Sequence, residues 1–96
     1  MIQTQQERAA GMLSMVWGLP DDPRGNVWHC AQNGITQDEV EEVLDNYLDN
    51  TTRSRTSNRW VTFGYASSGK HLCVVWEEIE SSPLVVYPVT AFETAP

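Results

Sequence analysis

"RWVTFGYASSGKHLCVVWEEI", residues 59–79, decides the fold. Its first part, "RWVTFGYA", alternates and is rich in β-formers, so it reads as a strand. "SSGK" is a turn. "HLCVVWEEI" is a second strand whose middle is apolar at consecutive positions, the pattern of a strand buried on both faces. "ESSP" turns again, and "LVVYPVTAF" reads as a third strand in which Pro88 signals an edge or a bulge. The three make an antiparallel meander.

Ahead of the meander, "TQDEVEEVLDNYLDN" carries the strongest helical pattern. Thr36 and Glu39 have capping-box spacing. Val40, Val43, Leu44, Tyr47 and Leu48 fall on one stripe. Asp38, Glu39, Glu41 and Glu42 crowd the first turns, where the helix dipole favours anions. A shorter helix is expected over 26–33 with Asn26 as its N-cap, closed by Gly34. "SMVWG" reads as a brief strand, and "LPDDPRG" is a turn cluster. Residues 1–13 read as an arm, helical or disordered. "NTTRSRTSN" is polar and unpatterned, hence a loop. The expected fold is α+β: a short N-terminal strand and two helices packed on one face of a three-stranded antiparallel meander. After the arm, residues 14–96 form a single domain.

The chain has 96 residues, a length that fits one domain, and a net charge of −7 from thirteen acidic and six basic side chains. So acidic a chain is a poor general nucleic-acid binder, because Lys and Arg supply most non-specific affinity for phosphate. It suits a basic partner. No basic, apolar leader and no membrane-length apolar run is present, so a cytoplasmic protein with free Cys30 and Cys73 is expected.

Half of the cations are Arg53, Arg55 and Arg59, inside one short stretch. With Lys70 they make a candidate phosphate-binding set, since guanidinium groups hold phosphate in two-pronged fashion. The competing reading is a solubilising loop that balances the acidic helix. His71 is the candidate for proton transfer, with Tyr65, Tyr87, Glu77 or Glu93 as partners. His29, Cys30, His71 and Cys73 have spacings poorly suited to zinc, and neither a metal nor a cofactor is expected. Trp17, Trp28, Trp60 and Trp76 are interleaved with Val, Leu and Cys and read as core rather than as a base-stacking platform.

"HCAQNGITQDEVEEVL" is similar to the BrnT family of small toxins, within the RelE-like ribonucleases. The resemblance runs through Gly34-Ile35-Thr36, the acidic helix start, Arg59 before "VTFG", Lys70 after a glycine turn, and Thr90-Ala91 near the end. It implies a RelE-like fold and a ribosome-independent, metal-independent ribonuclease whose partners are RNA and an antitoxin protein, with a homodimer as a further association. Carried over, Arg59 and Lys70 would hold the scissile phosphate, Arg53 and Arg55 would steer flanking phosphates, and His71 or Glu93 would move protons. Asn33 stands where the family has His, and Phe92 where it has Arg, which implies weakened or lost cleavage. The alternative is a non-catalytic protein-binding module using a sheet edge and the acidic helix face.

Overall fold

The computed structural model describes residues 5–10, as backbone, and residues 13–96. Strands β1 (Gln5–Ala10) and β2 (Leu13–Gly18) come first, then helices α1 (Asn26–Gln32) and α2 (Gln37–Tyr47). Strands β3 (Thr51–Arg53), β4 (Trp60–Tyr65), β5 (His71–Ser81) and β6 (Leu84–Glu93) follow. All six strands join one sheet in the order β1-β2-β6-β5-β4-β3.

The expected three-stranded antiparallel meander is therefore wrong. The sheet has six strands and is mixed, because β2 runs parallel to β6 (Leu13 beside Leu84, Met15 beside Val86) while the other pairs are antiparallel. The chain between β2 and β6, through α1, α2 and β3 to β5, makes the long crossover that a parallel pair requires. The arm expected to be helical or disordered is strand over Gln5–Ala10, paired antiparallel with β2. The rest of that expectation, on 1–4 and 11–12, lies outside the described residues. The stretch expected to be a loop contains β3, whose Thr51 faces Thr62 and whose Arg53 faces Trp60.

Strand pleating separates two sheet faces. The helix-covered face carries Leu13, Met15, Trp17, Leu72, Val74, Trp76, Val86 and Ala91, all buried. Against them α2 places Val40, Val43 and Leu44, and α1 places Cys30. Gly64, on the same face, makes room for Tyr47: a β-carbon there would overlap the Tyr47 ring. Pro88 lies inside the sheet, not at an edge. The neighbouring Val89 is a bulge residue, since Thr90 faces Val75 while Pro88 faces Trp76. The bulge shifts the inward positions of β6 from Val86 and Pro88 to Ala91.

Asn26 does not cap α1. The N-cap is Gly25, with no side-chain cap bond. The Asn26 side chain is fully buried at the seam between the parallel strands, beyond their last paired residues. Its amide donates to Val16 O at 2.9 Å and to Pro88 O at 2.8 Å, and its oxygen accepts from Gly18 N at 2.8 Å. One side chain thus continues the ladder where the backbones have diverged. The capping box on α2 forms as its spacing predicts, and Gly34 closes α1 with φ 77°. Among the described residues, no helix is long and apolar enough to cross a membrane.

Candidate functional site

The strand register splits the expected phosphate-binding set. Arg59 precedes β4 at one end of the β4–β5 hairpin, and Lys70 precedes β5 at the other. The six residues of β4 separate Arg59 from Ala66, the backbone partner of Lys70. At a rise of ~3.3 Å per residue the two cations stand roughly 20 Å apart along the strands. No single phosphate reaches both.

Arg53, Arg59 and Lys70 are also engaged within the chain. Arg59 Nε donates to Glu77 Oε2 at 2.7 Å. Arg53 lies over the Trp60 ring, 4.1 Å from its centroid. Its Nη1 donates to the Asn58 carbonyl at 3.2 Å and to Asn58 Oδ1 at 3.1 Å. Asn58 takes a left-handed φ of 58°, a conformation Asn tolerates better than most residues. The hairpin turn that holds it closes through Ser54 N donating to Arg59 O. Arg55 is exposed in this turn. The shallow depression beside it is lined by Arg53 and Arg59 but equally by Glu77 and Glu78. Its charges balance.

Lys70 belongs to the start of α2. Its Nζ donates to Gly34 O at 2.8 Å and lies 3.1 Å from Glu39 Oε2. Glu39 also accepts from Thr36 N at 2.9 Å and from Ser68 Oγ at 2.6 Å. Burial alone would raise the Glu39 carboxyl. The hydrogen bonds from Ser68 and the Thr36 amide, with the Lys70 ammonium, outweigh it and hold the group down to about 2. Lys70 therefore locks a turn onto a helix.

His71 is half-buried on the sheet face away from the helices. It stacks on Phe63 with centroids 6.4 Å apart and meets Tyr65 edge-on at 4.7 Å. Its Nδ1 lies 3.3 Å from Thr94 O. Of the acid/base partners weighed for it, only Tyr65 is adjacent. Glu93 pairs with Leu72, so pleating turns its side chain to the opposite face. Glu77 and Tyr87 pair with each other near the far end of β5. Burial, then the nearby Glu77 and Asp22 carboxylates, raise the Tyr87 phenol.

The cysteines also occupy opposite faces. Cys30 sits under the helix layer and is pushed up to about 11 by burial, against a bond with the Ala91 backbone. Cys73 lies between Phe63 and Phe92 in the register of the other face, where burial raises it too. Both are free. Among the described residues, no group of three or more His, Cys, Asp or Glu is placed to hold a metal ion.

The two positions that depart from the toxin pattern have defined surroundings. Asn33 Nδ2 donates to Ala91 O at 3.0 Å and ties the end of α1 to β6. Phe92 is 41% exposed on the helix-free face, beside Cys73. That face carries Val61, Phe63, Tyr65, His71, Val75, Val85 and Phe92, none of them buried. Sequence reading missed this face because it weighed only the four Trp as an aromatic group and read them as core. The signal was the alternation of Phe63 and Tyr65 with Thr62 and Gly64. The chain matches no family model, no curated protein and no solved structure.

Proposed function

We propose that the chain is a divergent BrnT-like protein, acting in the cytoplasm, that does not cleave RNA and serves as a non-catalytic binding module for a basic protein partner. The separation of Arg59 from Lys70, each on its own carboxylate, carries this reading. In-line cleavage of RNA needs cations converging on one oxyanion and a base and acid across the scissile bond. Here the cations serve two distant contacts, and His71 has aromatic neighbours where a catalytic imidazole wants a carboxylate or a hydroxyl chain. Phe92, where the toxins have Arg, supports the same conclusion: a charge suited to phosphate is replaced by exposed apolar surface. Two buried free thiols suit a reducing compartment.

The binding reading draws support from the acid excess. Asp38, Glu42 and Asp45 line a depression beside Ser67 on the outer side of α2, and Glu77, Glu78 and Glu80 are exposed on β5. The test is incubation of purified protein with total RNA at low salt without added metal, beside Arg59→Ala. Intact RNA with both proteins is expected, as is normal growth of a host expressing the chain alone. Cleavage by the wild type that Arg59→Ala abolishes would establish the ribonuclease instead.

A further inference from the structure

The helices cover one sheet face, and no described element covers the other. On that other face the central strands present Phe63, Tyr65, His71, Val75 and Phe92, with Tyr65 47% and Phe92 41% exposed. Exposed apolar side chains scattered singly are ordinary, but contiguous ones mark contact surfaces. These are contiguous by register: Tyr65 faces His71, Phe63 faces Cys73, and Cys73 faces Phe92. We infer that this face is the docking surface for a basic amphipathic helix of a partner protein. The inference rests on the reading of the chain as a binding module.

The sheet itself selects a helix over a strand. The open face lies over β4, β5 and β6, which are interior strands, so an added strand would have to join at an edge, β1 or β3, away from this face. The edge strand β3 is only three residues long. What the face offers is side-chain surface, which an apolar helical stripe matches.

Charge selects the sign. Glu77 and Glu80 alternate onto this face and are exposed at one end of the central strands. On this face Arg59 offsets only Glu77. Lys or Arg flanking the partner's stripe would meet these carboxylates. A second copy of this chain would instead bring another −7 against them. An RNA strand could stack on the aromatics, but it would meet the same carboxylates without a converging set of cations.

The test uses the full chain with its valine methyl groups labelled for NMR. Three probes are added: a Leu/Lys amphipathic helical peptide of about 18 residues, its Leu/Glu counterpart, and a single-stranded RNA of about 12 nucleotides. The Leu/Lys peptide is expected to shift Val61, Val75 and Val85 on the open face and to leave Val74 and Val86 unmoved. The double variant Tyr65→Glu, Phe92→Glu, altered only at exposed positions, should keep the spectrum of the fold and weaken that binding about tenfold or more. Shifts confined to Val40 and Val43 under α2 would overturn the docking face but leave the binding module standing. Equal binding of the Leu/Glu peptide would overturn the choice of a basic partner. Face-specific shifts with RNA alone would overturn both readings. A dimer formed through the same methyl groups without peptide, or no response to any probe, would overturn the inference.

Discussion

Asn26 is a small polar residue that holds two distant strands together. Its three hydrogen bonds reach Val16, Gly18 and Pro88, the last of them fully buried and the other two part-buried. An orphaned buried polar group costs about 1–3 kcal/mol, so Asn26→Ala is expected to destabilise the chain by about 3–5 kcal/mol. Asn26→Asp should be comparably damaging, because a carboxylate accepts from Gly18 N but donates to neither carbonyl. Urea unfolding checks this: the midpoint should fall with an unchanged slope. Gly64 is the complementary case, a residue whose missing side chain matters. Adding one methyl at Gly64→Ala drives a carbon into the Tyr47 ring and should cost about 1–3 kcal/mol. Tyr47→Ala in the same chain would open that space. If the penalty at Gly64 persisted undiminished in the double variant, the clash would not be its cause.

At the scale of elements, α2 illustrates how a local pattern and a distant partner combine. Thr36 and Glu39 announce the cap in sequence, and the apolar stripe announces the buried face. Ser68 and Lys70, from the turn ahead of β5, then converge on the same Glu39 carboxylate. Its folded pKa of about 2 lies below the ordinary value of 4.5, so the unfolded chain binds the proton more tightly. The sign follows: this contribution is fully present above pH ~4.5 and is lost as pH falls towards 2. Its size is on the order of 3 kcal/mol. Lys70→Met should raise the acid-unfolding midpoint while changing stability at pH 7 by a smaller amount, since the Ser68 and Thr36 bonds remain. An acid midpoint unmoved by Lys70→Met would remove the ammonium from this account. The same elements show what sequence reveals. The hairpin of β4 and β5 was legible because Trp60 to Tyr65 alternate and Gly69 marks the turn. β1 was not, since "QQERAA" has helical propensities that pairing with β2 overrides. β3 was missed because "TTR" is too short and polar to show a period. Asn26 looked like a cap because its inward bonds run to residues up to 62 positions away. The basic stretch was visible, but Glu77 and Glu39, the partners that engage its members, lie 18 and 31 positions distant.

Across the whole molecule the acid excess serves the fold poorly. Thirteen carboxylates face six cations, and the exposed Arg59–Glu77 pair contributes at most about 1 kcal/mol. Asp38, Glu42 and Asp45 lie close together beside Ser67. The Lys70–Glu39 pair is sheltered and little screened by salt, whereas the surface repulsion is fully exposed to it. Raising NaCl from low to moderate concentration at pH 7 should therefore stabilise the chain by about 1 kcal/mol, a rise in Tm of about 4–8 °C for a domain of this size. A fall in Tm with salt would mean that favourable ion pairs outweigh the repulsion, and the acid excess would then be a structural asset. A rise means that the chain carries this charge at the expense of its own stability. That is the expected signature of a surface kept acidic for a basic partner, and binding such a partner should raise Tm further by relieving the same repulsion.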